Sequence, residues 1–167
     1  MKSSIYLKIF LYTDVMNYFL LKSEPDCFSI DDLARVGEES WTGVRNFQAR
    51  NTLRDSMNIG DLCFFYHSSC AEPGIVGLME VVSEAFPDMT ALDVSNEHFD
   101  PKSTLEKPIW TTKIMKFVKK FDQPISLGVI KSHPELSKMV IAQRGSRLSI
   151  TPVPEKHFSI LMNLLGA

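Results

Sequence analysis

The run Asp61-Leu-Cys-Phe-Phe-Tyr-His-Ser68 constrains the fold of this chain more than any other segment. It is short, rich in aromatics and preceded by Gly60, which reads as a β-strand over 61–68. Alternation along a strand puts Leu62, Phe64 and Tyr66 on one face and Cys63, Phe65 and His67 on the other. Both faces are apolar until the strand ends, so the strand belongs inside the protein with cover on each side. Tyr18 to Lys22 has the same two-faced apolar character and is stopped by Ser23-Glu24-Pro25, where Pro25 withholds a ladder donor.

Between and after these strands the sequence alternates helix and strand signals. Ser29 and Asp32 form an S-x-x-D capping box, and Phe28 and Leu33 stand where a hydrophobic staple places its pair, which predicts a helix starting at about Ile30. Asn46 caps a second helix reaching roughly Met57, with Phe47, Leu53 and Met57 expected inward. Strands are expected at Ile75 to Val82, where Gly77 marks a bulge or close approach, and at Ile109 to Val118. Ser126 to Lys131 and Pro134 to Lys138 read as helical turns, and Met139 to Ala142 and Leu148 to Val153 as strands. Pro154 to Leu165 reads as a closing amphipathic helix with Phe158, Leu161, Met162 and Leu165 inward. A loop from about Phe86 to Pro108 is long enough to suggest a functional role. The expected architecture is α+β: a compact, partly open β-barrel of five to six strands flanked by short helices.

Length and charge narrow the function. The chain has 167 residues and a net charge of -2, which fits one domain and gives no whole-protein attraction to a phosphate backbone. Any nucleic-acid binding therefore needs a local patch. Three cysteines, Cys27, Cys63 and Cys70, form no C-x-x-C pair, which favours a reducing intracellular compartment. His67 and Cys70 stand as H-x-x-C, but no recognised spacing assembles four ligands, so no metal and no cofactor are expected. The apolar run at Ile5 to Tyr12 is interrupted by Lys8 and falls short of the ~20 residues that span a bilayer, so no membrane association is expected. Residues 1–15 read as an N-terminal extension from a misassigned start codon or as an added edge strand, ahead of a domain over 16–167.

Four places carry residues suited to chemistry. Trp41-Thr-Gly-Val-Arg-Asn46 joins an indole to a helix N-terminus and to Arg45, with Arg50 and Arg54 following, an arrangement that favours an anion beside a stacking surface. The same residues also fit a core tryptophan with arginines that are solvated or paired with Asp55 and Glu38, the reading that composition alone favours. His67-Ser68-Ser69 ends the buried strand and sets hydrogen-bonding groups at a barrel rim. No acid is placed in sequence to orient His67, and Ser68 lies outside any G-x-S-x-G elbow, so a Ser–His nucleophile is weakly supported. From Lys102 to Lys120 there are six lysines and one acid, Glu106, which suits either phosphate tracking or a solvated strand edge. Trp110 within that run is a core plug or a second aromatic wall. Gly145 allows a tight turn from which Arg147 reaches a pocket, or simply closes a hairpin.

Read in order, Tyr-Phe-Leu-Leu-Lys-Ser-Glu-Pro at 18–25, Trp-Thr-Gly-Val-Arg-Asn-Phe-Gln-Ala-Arg-Asn at 41–51, Gly-Asp-Leu-Cys-Phe-Phe-Tyr-His-Ser at 60–68, Phe-Asp-Pro-Lys-Ser at 99–103 and Arg-Leu-Ser-Ile-Thr-Pro-Val at 147–153 resemble the signatures of the EVE domain. The resemblance covers about residues 17–167. It implies a PUA-like fold related to the YTH and ASCH domains, with a pocket for a flipped or single-stranded modified base in DNA or RNA, modified cytosines being the favoured candidates. By carry-over, Trp41 is a stacking wall with Asn46 close by, and His67 and Ser68 approach the base edge together with Ser23 and Glu24. Lys22, Arg45 and Arg147 serve the phosphates or the polar rim, and Trp110 is retained as a second wall. The function expected is recognition without catalysis, in the cytoplasm or, in a eukaryote, the nucleus. The alternative is an ASCH-like ribonuclease or a nucleotide hydrolase using His67.

Overall fold

The computed structural model describes residues 15–166, so the expectation of an N-terminal extension falls, apart from Val15, outside the described residues. The fold is built around the strand that the sequence marked first. That strand, β3 (Leu62–His67), pairs in parallel with β1 (Tyr18–Ser23) and antiparallel with β4 (Gly74–Val81). Beyond β4 lies β7 (Ile114–Ser126), and the two edges are β2 (Glu38–Ser40) and β8 (Ile150–Pro152), giving the order β2-β7-β4-β3-β1-β8. A two-stranded ribbon, β5 (Phe86–Pro87) with β6 (Thr111–Thr112), stands apart. Register shifts between Phe65 and Tyr66, Ile75 and Gly77, and Leu78 and Met79 bend the sheet into a half-barrel.

Alternation along β1 and β3 divides the interior in two. Phe19, Leu21, Cys63 and Phe65 face α1 (Ile30–Val36) and α2 (Phe47–Asn51), burying against Ile30, Leu33, Ala49 and Leu53. Leu20, Phe64 and Tyr66 face α3 (Leu127–Ser132) and α4 (Glu155–Leu164), burying against Ile130 and Leu161. Phe64 and Phe65, neighbours in sequence, are each fully buried in opposite layers. Each such ring contributes about 1.5–3 kcal/mol of apolar burial. Among the described residues no helix is long and apolar enough to cross a membrane.

The capping box at Ser29 and Asp32 is formed, with α1 beginning at Ile30. Four other expectations are corrected. The helix drawn from Asn46 to Met57 is α2 followed by one wider π-helical turn, Thr52–Ser56, in which the Met57 amide reaches back to the Thr52 carbonyl. Phe47 points outward, 59% exposed, because the stripe that meets the core runs through Ala49 of α2 and Leu53 of the following turn instead. The strand drawn over 109–118 is β6 plus a β7 that continues to Ser126, carried by pairing with β4 rather than by its own largely exposed, lysine-rich sequence. Val140–Ala142 is a 3-10 turn, not a strand, because Ile141 and Met139 fold over the α3–α4 layer with no strand beside them.

Gly77 is the close approach that the sequence anticipated. A Cβ there would collide with the Ile30 side chain and stand 2.8 Å from the Lys119 carbonyl oxygen, a backbone atom that cannot swing away. Gly77→Ala is therefore expected to destabilise the fold by about 1–3 kcal/mol. Urea unfolding reads this directly, and an unchanged midpoint would show that α1 and β7 separate at little cost.

Candidate functional site

Because β1 and β3 run parallel, their carboxyl ends open on the same side of the sheet, and the chain leaves both through polar turns. Ser23 is held by a 2.6 Å hydrogen bond from its hydroxyl to the Phe28 carbonyl, and the Ser68 amide donates to the Ser23 carbonyl at 3.0 Å. Ser69 then adopts φ +52, a conformation that costs a non-glycine residue about 1–3 kcal/mol and is sustained by its surroundings. At this end of the sheet lies a cavity of about 1030 Å³. Its walls are the β1 end (Lys22, Ser23, Glu24), the β3 end (Ser68, Ser69), the segment Glu39–Gly43, the loop residues Thr90 and Ser95–His98, and Arg147 with Ser149.

The far wall belongs to the long 86–108 loop and is fastened by Arg45. The Arg45 Nη1 donates to Asp88 at 2.8 Å, its Nε to the His98 carbonyl at 2.7 Å and its Nη2 to Thr90 Oγ1 at 2.9 Å. The Asp88 side chain is fully buried and also accepts from the Gly43 amide at 2.9 Å and from Thr90. Burial opposes ionisation of Asp88, but the hydrogen bonds from Thr90, Arg45 and Gly43 outweigh it and hold the carboxyl below its ordinary value. Gly43 completes the join: it has φ +80, and a Cβ on it would meet His98 Nε2 at 2.6 Å. The positive φ favours glycine here, and its missing side chain leaves room for the His98 ring.

The structure brings together Lys22, Ser23, Glu24, Trp41, Ser68 and Arg147 around this cavity. Trp41 is 8% exposed; its ring meets Phe65 edge-on at 5.3 Å, so most of the indole is core and only its margin reaches the cavity. Lys22 donates to the Ser146 carbonyl at 3.3 Å, and burial lowers its pKa.

Four other sequence candidates are engaged elsewhere and do not line the cavity. Arg45 lies behind the wall it fastens. Asn46 caps α2, accepting from the Ala49 amide at 3.0 Å. Trp110 is buried, donating its indole N–H to Asp100 at 2.7 Å and stacking on Phe47 at 4.9 Å. His67 turns toward α1, where Nε2 accepts the Ile30 amide at 3.1 Å and so satisfies a free donor of that helix. Burial lowers the His67 pKa, keeping the ring neutral and able to accept. The lysine run is dispersed as well: Lys113 is buried with its ammonium on the Met57 carbonyl, and Lys120 pairs with Asp31.

The sequence reading missed Thr42, Thr90 and Ser95–His98 as cavity residues. The only signal for the loop members was the unusual length of that loop. Among the described residues no group of His, Cys, Asp and Glu is arranged to hold a metal ion.

A curved six-stranded half-barrel with helices on both faces and a polar cavity at the ends of its parallel pair defines a PUA-like domain. Residues 17–164 match the EVE domain, and the chain belongs to that family. Thymocyte nuclear protein 1 of Homo sapiens is 39% identical over 170 residues, covering 90% of this chain and 75% of that protein. A crystal structure of a Pseudomonas syringae protein superposes with a TM-score of 0.86 at 47% identity, over 89% of this chain and 99% of that one. The crystal structure of human THYN1 protein in complex with 5-methylcytosine containing DNA superposes with a TM-score of 0.85 at 38% identity, over 91% and 99%.

Two expectations follow. Arg45→Met leaves the Asp88 carboxylate buried without its cation, a loss of about 3–5 kcal/mol for a buried pair that is broken on one side. Since the Asp88 pKa is depressed in the folded state, the stability it supplies is present above the unfolded carboxylate value of about 3.9 and lost as pH falls below it. Unfolding measured at neutral pH and near pH 3 should show the variant's deficit shrinking in acid; a deficit independent of pH would show that packing, not charge, is lost. His67 is also depressed, so its contribution fades as pH falls below about 6.5, and the protection of the Ile30 amide, its exchange rate relative to the intrinsic rate at each pH, is expected to drop there.

Proposed function

We propose that this chain is a non-catalytic reader of a modified nucleobase, taking the base out of its stack in DNA or RNA into the cavity at the β1 and β3 ends. The observation that carries this reading is the cavity itself, which is lined by polar groups together with the exposed margin of Trp41. It has room for a nucleotide with its flanking groups, at the upper end of the usual range for small-molecule sites. A flipped base costs a few kcal/mol to unstack, and a stacking surface with a few placed hydrogen bonds recovers that cost. The exposed margin of Trp41 is the stacking surface, Ser68 and the Ser23–Glu24 turn face the base edge, and Lys22 and Arg147 meet the phosphates. Asn96 and His98 join the ligand-facing set from the loop side. The human THYN1 complex with 5-methylcytosine containing DNA supports a modified cytosine as the first candidate.

The alternative of a His67-dependent ribonuclease or hydrolase finds less support in the geometry. A general base needs a free lone pair, and the Nε2 lone pair of His67 is committed to Ile30. The domain over 16–167 is accordingly proposed as one reading module.

The test is titration of short DNA and RNA strands and of free nucleosides carrying cytosine or its 5-modified forms. Modified cytosine is expected to bind about tenfold or more tightly than cytosine. Trp41→Phe, chosen because Trp41→Ala empties the core, is expected to weaken every ligand that binds in the cavity. Equal affinity for modified and unmodified strands would overturn the reader assignment. Strand cleavage that His67→Ala abolishes would overturn its non-catalytic half.

A further inference from the structure

We propose that Phe47, outside the cavity, is a stacking platform for the nucleotide next to the one whose base the cavity holds, a proposal that rests on the reading above. An exposed phenylalanine by itself is ordinary. Phe47 is distinguished by how it is held and by what stands beside it. Its ring stacks on the buried Trp110 with centroids 4.9 Å apart and 26° between planes, so it is fixed in place while remaining 59% exposed. The Arg50 guanidinium lies 4.8 Å from the Phe47 ring and 5.8 Å from Trp110. Were Arg50 on the opposite face of Phe47, it would stand nearly twice as far from Trp110 as from Phe47. Arg50 therefore does not cap the face of Phe47 opposite Trp110, and the ring keeps 59% of its surface exposed.

An exposed aromatic ring with a fixed cation beside it has the chemistry of a single-strand nucleic-acid contact. The ring takes any base by stacking and the guanidinium meets the adjoining phosphate. Arg50 is anchored to the Ile109 carbonyl at 3.0 Å, which places it beside the loop that carries Lys102 and Lys107. The platform also lies within a short reach of the cavity. Gly43 lines the cavity and Phe47 follows four residues later, a reach of at most about 14 Å. Arg45 links the two regions, bonding the cavity wall at Thr90 and His98 while lying 5.4 Å over the other ring, Trp110. A strand that delivers one base to the cavity thus brings a neighbouring base to Phe47. The site selects for extended strand over free nucleoside and is blind to the neighbour's identity.

The experiment compares wild type, Phe47→Ala and Phe47→Tyr, using 5-methylcytidine, a five-nucleotide strand with a central 5-methylcytosine, and the same strand with 2-aminopurine beside the modified base. Phe47→Ala is expected to leave nucleoside affinity within twofold and to lower strand affinity about tenfold, the size of one lost base–aromatic stack. Phe47→Tyr is expected to retain strand affinity. The 2-aminopurine fluorescence is expected to be quenched on binding wild type and Phe47→Tyr but not Phe47→Ala. If 5-methylcytidine binds and the strand binds Phe47→Ala as tightly as wild type, the platform is overturned while the cavity reading stands. If no nucleoside and no strand binds wild type, both fall together.

Discussion

A strand apolar on both faces has no stable place at the surface, and in this protein that strand runs through the middle of everything else. Phe64 and Phe65 point into opposite layers and each is fully buried, so β3 demands a cover on either side. One cover is α1 and α2, the other α3 and α4. The two layers share no side chains across the sheet, yet neither can be dismantled without exposing β3 to water, which couples them into one cooperative unit. The site inherits this rigidity, since Ser68 and Ser69 are the direct continuation of β3 and Ser23 lies in register with His67 across from it.

Rigidity on one side of a cavity is of little use if the other side is a loose loop. Here a long irregular segment is made into a wall by one ion pair and the groups around it. Asp88 collects donors from Arg45, Gly43 and Thr90, and Arg45 donates further to the His98 and Val44 carbonyls and to Thr90. Each group is satisfied by another member of the knot, which is the condition for a buried polar network to stabilise a structure. The cavity is therefore in place before any ligand arrives, and binding need not order the loop.

How much of this was legible follows from the range of each signal. The capping box at Ser29 and Asp32, the two-faced strand at 62–67 and the constraint at Gly77 are local or depend on alternation, and the sequence displays them. The continuation of β7 past Val118 is imposed by β4, and nothing in Lys119-Lys120-Phe121-Asp122 announces it. Arg45 offered itself as a phosphate ligand because its partner, Asp88, is 43 residues away in a loop without periodicity. His67 looked like a reader of base edges for the same reason: its bond to the Ile30 amide joins positions 37 residues apart. Phe47 was assigned inward by helical spacing, but α2 gives way to a π-helical turn after a single short helix, so an ideal helical wheel does not describe its faces. The cavity residues from 90 to 98 were hidden by the same lack of pattern.

Among the described residues the sheet is a half-barrel with two edges. Both end in strands of only three residues, β2 and β8, and β8 closes with Pro152, which has no amide hydrogen to offer. At β2 or β8 a second chain seeking to extend the sheet would find a landing site too brief to hold it, and the outer side of β7 beyond Lys116, which β2 does not cover, carries Lys119, Lys120, Asp122 and Pro124 against such pairing. A barrel that never closes can thus remain open without becoming a template for fibre growth, and the curvature that shapes the cavity comes without that hazard.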